Sequence, residues 1–460
     1  MISFVQAYLL TECYKKLSCK ARKALQLARL KSLLVHTQKN SPFYASHFKS
    51  AGIDFTGANI LKPESGFSLS DIPSTNRREL AACFEEWVSD RRIKESGLAA
   101  FTNDPGNIGK FYLDKYTVFK TAGTTGAPLA ALYDRRALDI FDALYASFKF
   151  MRKEDYSPYL RSPRRAAYVF INDGFHMGNG LCYRKNSAQY LMRNTRKTVI
   201  NAASPTREIV ESLNQYQPDV VRSFPTTLEL LADECQAGRL RIAPKMITAS
   251  GEELPAKMRA YLREAFGCYV ESSYISTEGG VIASECALQR LHVNDDWVIV
   301  EPVDNNGDPV PDGELSDKLL ITNLSNFVQP FIRYEVTDRV ALHAKEPCPC
   351  GNPSPWIEID GRSDAVVHFD TPSGKIKVAP LLFYSHLIEV DEIKQFQVIV
   401  HNGNNIELRL DANDRLAVFK QISEPLRQSL KAIGAEVSIK LSADFPQSDA
   451  SGKFRHMIMH

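Results

Sequence analysis

The chain contains no run of apolar residues approaching the roughly 20 that a membrane span needs. It has no excess of one charge either: 56 Lys and Arg stand against 54 Asp and Glu, a net charge of +2. That balance leaves no dense basic face for nucleic acid. Internal repeats and low-complexity segments are missing, which removes repeat architectures. The nine cysteines are scattered and odd in number, so they do not form a disulfide framework in a chain this long. The cytoplasm is the expected compartment. The apolar ISFVQAYLL at the N-terminus is short, has no basic residues before it and runs into TECYKK. It reads as part of a helix and not as a signal peptide.

What is present is an ordinary globular composition, 44% hydrophobic and 24% charged, over 460 residues. One hydrophobic core seldom serves that length, so two or more domains are expected. From Lys20 to Gln38, Leu25, Leu27, Leu30, Leu33 and Leu34 recur at helical spacing. From Asn103 to Leu132 the pattern turns to strand and loop. From there to Gly267, strand-like runs (AAYVFI, KTVINA, DVVRSF, KMITAS) alternate with helical ones (TREIVESLNQY, TTLELLADECQAG, LPAKMRAYLREAFG). Such alternation predicts βαβ units around a largely parallel sheet. After Glu271 the chain is richer in strands (WVIVEPV, KLLITNL, RVALHA, WIEI), a β-rich layer closing the domain. The last hundred residues restart a mixed pattern, a small α+β module set off by GRSDA.

Five stretches carry candidate chemistry. KTAGTTGAPLA, Lys120 to Ala130, has the composition of a phosphate loop: glycines let the backbone approach an anion and hydroxyls add donors. It is not a Walker A loop, since Ala127 and Pro128 follow Gly126. ITASGEELP ends a strand at a glycine beside two carboxylates. SYISTEGG sets an aromatic ring, a hydroxyl and a carboxylate on a glycine-ended turn. FIRYEVTDRV holds Asp338 among strand residues, and SGKFRH places Lys453 on a Ser-Gly approach near the C-terminus. Each alone has an ordinary explanation as a turn, a cap or a tail charge.

In this order the stretches resemble the motif series of the adenylate-forming superfamily, and within it the phenylacetate–CoA ligase and coenzyme F390 synthetase branch. TAGTTGAP is similar to that family's SGTTG-x-P loop, YISTE to Y-G-x-T-E, RYEVTD to R-Y-x-x-G-D, GRSD to the G-R-x-D hinge, and SGKFR to G-K-x-x-R. LKSLLVHTQKNSPFYASHF and QPFIRYE fit the branch as well, so the likeness runs from about residue 25 to 456.

The resemblance implies an α/β fold: a large multi-layer N-terminal adenylate-forming domain, residues 1–361, and a small mobile C-terminal α+β lid, residues 365–460, with the hinge at 362–364. It implies ATP-dependent activation of a carboxylic acid, aryl or otherwise hydrophobic, as acyl-AMP. Transfer to the thiol of CoA or of a carrier-protein phosphopantetheine follows. Thr121, Gly123, Thr124, Thr125 and Gly126 would hold the β- and γ-phosphates. Thr277 would contact the α-phosphate and Glu278 would carry Mg²⁺, a hard cation that prefers oxygen. Tyr274 offers a face to adenine, with Gly251 and Glu252 along its edge. Asp338 and Arg362 would bind the ribose. Lys453, on the lid, would bridge the acyl carboxylate and the nucleotide, and leave when the lid rotates about Asp364. Gly374 would then line the thiol's path. Phe175, His176 and Phe224 would face the acid.

EC-ALQRL-H and CPCG supply Cys286, His292, Cys348 and Cys350, a Cys₃His set that members of this branch use for structural zinc. Several positions depart from the pattern. Ala122 stands for the usual Ser, Leu129 for a Lys after the loop proline, Ile275 for the Gly of Y-G-x-T-E, and Thr337 for the Gly before Asp338. Lys120 is a candidate substitute for the missing cation. The resemblance is compatible with a homodimer. Two other functions stay open: adenylylation of a non-carboxylate acceptor, as in F390 synthetase, and a nucleotide-binding scaffold without catalysis.

Overall fold

A computed structural model describes residues 3–55, 67–120, 129–147, 164–170, 174–184, 195–202, 204–252, 254–360, 367–371, 374–378, 380–387, 390, 392–401, 404–447 and 457–459. Two helices open the chain. The first is α1, Phe4–Tyr14, capped by Ser3 in a box with Gln6. The second is α2, Cys19–Asn40, whose Ser18 hydroxyl accepts from the Ala21 amide. A hydroxyl before the first turn satisfies an N–H that the helix leaves without an intrahelical partner.

Strands β1 (Thr117–Lys120) and β2 (Ala130–Tyr133) form an antiparallel pair on either side of the glycine-threonine loop. A nine-stranded sheet follows. Its members are β3 (Arg164–Phe170), β4 (Thr195–Asn201), β5 (Val220–Ser223), β6 (Met246–Ser250), β7 (Tyr269–Ser276), β8 (Gly280–Glu285) and β9 (Leu291–Val293), joined by β13 (Arg339–His343) and β14 (Trp356–Asp360). Their order is β13-β14-β9-β8-β7-β6-β5-β3-β4. The five strands from β4 to β7 run parallel, as the alternating pattern predicts, and every pairing from β7 to β13 is antiparallel. The closing layer therefore differs from the expectation in one respect. RVALHA and WIEI extend the main sheet, while WVIVEPV and KLLITNL pair in a separate three-stranded sheet: β10 (Val298–Val303), β11 (Lys318–Asn323) and β12 (Tyr334–Val336). Strand identity is a local property, but the choice of partner strand is not.

Alternation within the parallel strands explains their continuous apolar runs. In β3, Ala167 and Val169 join a core built with the helices Thr206–Tyr216, Pro225–Gln236 and Ala256–Phe266, while Ala166, Tyr168 and Phe170 join a core on the opposite face. Both faces are covered, so both sets of side chains must be apolar. From Val367 onward the chain has a core of its own, drawn only from residues between Val367 and Met457. There β15 (Val367–Thr371) pairs with β16 (Gly374–Val378). A four-stranded sheet has the order β19-β18-β17-β20, from β17 (Ile393–His401), β18 (Asn405–Ala412), β19 (Ser438–Leu441) and β20 (Met457–Met459). The helix Arg415–Ala432 packs on it.

Candidate functional site

The parallel strands end along one rim. Register pairs Val169 with Ser223, Ser223 with Ala249, and Ser250 with Ser273, so the segments beginning at Phe224, Gly251 and Tyr274 lie side by side. Ligands of open α/β sheets bind outside the carboxyl ends of such strands.

At this rim the structure brings together two carboxylates predicted from motifs sixty residues apart. Tyr274 donates its phenol proton to Asp338 Oδ2 at 2.6 Å. Tyr274 sits at a bulge, where the register between β7 and β8 shifts before Ile275. Beyond the bulge Thr277 and Glu278 form the turn into β8. That turn is fixed by its backbone: Tyr133 Oη donates to the Thr277 carbonyl at 2.8 Å, Asn323 Nδ2 to the Glu278 carbonyl at 2.8 Å, and Gly279 N to Ser276 Oγ at 2.8 Å. With its main chain held from both sides, Glu278 presents its carboxylate in a set direction. Loss of solvation, with the negative field of Asp338, pushes that carboxyl above the usual carboxylate range, and Arg77 opposes the shift. Loss of solvation lowers the Arg77 guanidinium, and Tyr334 and Glu278 act against that.

The sequence reading missed Arg77. It opens the helix Arg77–Ala82 behind an Asn76 cap, and tertiary contacts deliver it to Glu278. Thr75 N donates to the Arg333 carbonyl at 3.0 Å, and Glu335 N donates to the Thr75 carbonyl at 2.8 Å. Arg333 donates to the Ile72 carbonyl at 2.5 Å and pairs with Glu301 at 3.2 Å. The Arg of RYEVTD thus anchors the strap that carries Arg77. An N-cap signal in STNRREL marks the helix, but nothing local marks its destination. Tyr133 and Asn323 were missed for the same reason.

The neighbouring candidates take specific places. Gly251 has φ +86°, and a Cβ there would lie 2.8 Å from the Phe224 ring. That ring also meets Phe170 edge-on with centroids 5.0 Å apart. Glu252 accepts from the Thr226 amide at 3.0 Å and its hydroxyl at 3.1 Å. Its carboxylate thereby serves the first turn of the Pro225–Gln236 helix, where the helix dipole favours an anion. Phe175 is 3% exposed and packs in the core against Phe101, centroids 5.8 Å apart. Its carbonyl accepts from Lys120 N at 2.7 Å, placing His176 beside the start of the glycine-threonine loop. Leu129 is 5% exposed within the main core, so the position that holds a lysine in the family's motif is a packing position here. Thr121, Gly123, Thr124, Thr125, Gly126, Arg362, Asp364 and Lys453 lie outside the described residues. Gly374 opens β16 with φ +120° and has open space where a Cβ would stand.

A second cluster gathers at the far end of β8, where Cys286 follows Glu285. Cys286, His292, Cys348 and Cys350 bring one donor atom each to within 4.8 Å of one another. Cys286 Sγ lies 4.0 Å from Cys348 Sγ, and Cys350 Sγ lies 3.5 Å from His292 Nε2. Thiolates about 2.3 Å from a tetrahedral zinc stand about 3.8 Å apart, so these separations fit one ion. His292 Nδ1 donates to the Ser354 carbonyl at 2.8 Å. A carbonyl only accepts, so this bond fixes the proton on Nδ1 and leaves the Nε2 lone pair facing the thiols. Backbone N–H groups of Leu288 and Asn352 point at the sulfurs of Cys286 and Cys350, each at 3.3 Å. Without a cation, burial pushes the Cys350 thiol up to about 12; a bound one would reverse that preference. The donor set, complete at four with Cys286, His292 and Cys348 buried and Cys350 half-buried, suits a structural ion more than a catalytic one.

Comparison with known proteins follows the same lines. No protein-family model matches the chain. A phenylacetate-coenzyme A ligase of Thermus thermophilus is 24% identical over 428 residues, covering 90% of this chain and 84% of that protein. One of Pseudomonas putida is 23% identical over 462 residues, covering 94% and 92%. Among solved structures, a 2-hydroxyisobutyryl-CoA ligase in complex with 2-HIB-AMP and CoA aligns with a TM-score of 0.64 at 18% identity, covering 97% of this chain and 91% of that one. The chain thus has the fold of adenylate-forming CoA ligases. The likeness to the phenylacetate–CoA ligase branch extends over nearly its whole length.

Proposed function

We propose that the chain is an AMP-forming acid–thiol ligase acting on an aryl or otherwise hydrophobic carboxylic acid. In the first half-reaction a carboxylate oxygen attacks the α-phosphorus of ATP and the bond to pyrophosphate breaks. In the second a thiolate sulfur attacks the acyl carbon, the thioester forms and AMP leaves. The thiol is that of CoA, with a carrier-protein phosphopantetheine as the other acceptor of the same chemistry.

The observation that carries this reading is the convergence of Glu278 and Asp338 at the carboxyl ends of the parallel strands, with Tyr274 bonded to Asp338 at 2.6 Å. Neither half-reaction creates a need for acid–base residues as strong as its need for fixed charges around phosphate. Glu278 would hold Mg²⁺, which supplies charge neutralisation at the phosphates. Asp338, oriented by the Tyr274 hydroxyl, would accept two ribose hydroxyls, a task suited to a carboxylate's paired oxygens. Thr277 would donate to the α-phosphate. Arg77 balances the local negative charge near Glu278. The glycine-threonine loop, Arg362 and Lys453 complete the site by their motif positions.

The Val367–Met457 core supports treating the C-terminal residues as a lid that folds as its own unit, with the hinge at 362–364. Zinc at Cys286, His292, Cys348 and Cys350 would pin the end of the main sheet. None of the nine cysteines is paired in a disulfide, which suits a reducing cytoplasm.

Pyrophosphate release with a panel of aryl and alkyl carboxylic acids tests the proposal. Release that depends on an acid, followed by thioester formation with CoA, is the expected result. ATP binding without release for any acid would favour the scaffold reading. A stable AMP adduct formed without any need for thiol would favour adenylylation of another acceptor.

A further inference from the structure

The two N-terminal helices carry a surface that the proposed chemistry does not use. α1 turns Phe4, Ala7, Thr11 and Tyr14 inward. Its other side presents Val5 at 48% exposure, Leu9 at 55% and Leu10 at 40%, with Cys13 also exposed. At about 100° per residue, Val5, Leu9, Cys13 and Leu10 span about 140° of the helix, with Gln6 among them. A helix apolar on all sides is normally buried on all sides, and α1 is buried on one. Leu17, Leu27 and Val35 continue the exposed apolar set along the connection and α2. Six of the fourteen exposed large apolar side chains among the described residues fall between residues 5 and 35.

Charge on this segment is one-sided. Up to residue 53 the sequence holds Lys15, Lys16, Lys20, Arg22, Lys23, Arg29, Lys31, Lys39 and Lys49, against Glu12 as its one acid. Glu12 is engaged by Lys15 at 2.5 Å and by the Ser147 hydroxyl at 2.7 Å. The two arginines face inward, Arg22 donating to the Pro353 carbonyl at 2.8 Å and Arg29 lying 3.5 Å over the Trp297 ring. Lys16, Lys20, Lys23 and Lys31 are exposed. The outer surface of α1, the connection and α2 therefore combines leucine and valine with ammonium groups, and the segment supplies no free carboxylate to neutralise them.

We propose that this surface lies in the interfacial plane of an anionic lipid bilayer, with Val5, Leu9 and Leu10 in the acyl boundary and the lysines at the headgroups. Burial of an apolar helix face together with attraction of lysines to anionic lipid is the recipe for surface association. No helix of the described residues is long and apolar enough to cross a membrane, and surface association needs none. A second copy of this chain would set lysines against lysines. Protein interfaces favour aromatic and arginine anchors and are poor in lysine, and this face has lysine in place of both. A lipid surface requires no shaped pocket, and long lysine stems extend to headgroups readily.

The test is flotation of the full chain with vesicles of phosphatidylcholine alone, and with vesicles of phosphatidylcholine and phosphatidylglycerol in equal parts. The protein should float with the anionic vesicles only, and less so as salt rises. Leu9→Glu should abolish flotation. Lys16→Ala, Lys20→Ala and Lys23→Ala together should weaken it about 100-fold, at about fivefold per lysine. All four side chains are exposed, so unchanged melting temperature and unchanged pyrophosphate release should accompany the loss. Failure to float with anionic vesicles overturns the proposal. So does flotation that survives Leu9→Glu. A dimer seen by light scattering that Leu9→Glu dissociates would assign the face to a second copy instead.

Discussion

If Cys286, His292, Cys348 and Cys350 hold zinc as proposed, its removal should loosen the N-terminal helices, although none of the four lies on them. The link is a chain of hydrogen bonds. His292 Nδ1 donates to the Ser354 carbonyl at 2.8 Å, and Ser354 Oγ donates to Asp295 Oδ1 at 2.6 Å. Asp295 also accepts from Tyr14 Oη of α1 at 3.1 Å, while Arg22 of α2 reaches the Pro353 carbonyl at 2.8 Å and Ser354 Oγ at 3.3 Å. If the 348–354 loop loses its ion, about three of these bonds lose their anchor. At about 0.5–1.5 kcal/mol each, the helix docking should weaken by about 1.5–4.5 kcal/mol. Amide exchange in the interior of α1 and the first half of α2 should then quicken by roughly 10- to 2,000-fold. Hydrogen exchange read by mass spectrometry, on protein with about one zinc per chain and on Cys348→Ser, provides the assay. The melting temperature should fall as well, because a structural ion contributes folding free energy. Unchanged exchange in α1 and α2 after metal loss would refute the relay. Chelator-washed protein with no bound metal and full stability would refute the site.

Three further outcomes are expected. Lys453→Ala should reduce pyrophosphate formation by about 10²–10³-fold, as for loss of one preorganised electrostatic contact, and spare transfer from a supplied acyl-adenylate. Asp364→Pro should do the reverse, and equal damage to both half-reactions in either variant would remove the lid from the mechanism. Gly251→Ala forces a Cβ to 2.8 Å from the Phe224 ring at φ +86°. It should cost about 1–3 kcal/mol in denaturant unfolding and raise KM for both ATP and the acid, because Gly251 is assigned to the adenine edge and Phe224 to the acid, and a KM change confined to ATP would remove Phe224 from the acid pocket. Arg92, at 2.6 Å, holds the Asp90 carboxylate below the usual range, with help from Tyr116. A depressed carboxylate stabilises the fold above its unfolded pKa of about 4 and loses that contribution as the pH falls further. Asp90→Asn should therefore lower stability at neutral pH and flatten the acid limb of the pH–stability curve, and an unchanged limb would show that the pair contributes nothing.

Much of the local structure was written in the sequence. TREIVESLNQY gave the helix Thr206–Tyr216 at its observed bounds, because its apolar residues recur at helical spacing and Pro205 stands just before it. KMITAS and DVVRSF gave β6 and β5, because both faces of a covered parallel strand are apolar. Motif order also singled out Glu278 and Asp338, which the structure brings to one rim, and Cys286, His292, Cys348 and Cys350, which it gathers within 4.8 Å, since a spaced set of chemically unusual residues survives as text. Which strands pair with which did not survive in that form. The antiparallel arm β8-β9-β14-β13 and the separate sheet β10-β11-β12 are built from equally strand-like runs. Only packing over long sequence separations chooses between them. The same holds for the setting of the site. Tyr274 meets Asp338 across 64 residues, and Arg77 comes near Glu278 only through the Thr75 and Arg333 contacts. Glu252 caps a helix that begins 27 residues earlier, at Pro225. Periodicity and turn chemistry act over a few residues, so they are legible in order along the chain. Charge balance, hydrogen-bond partners and strand order depend on distances in space that closing the core creates.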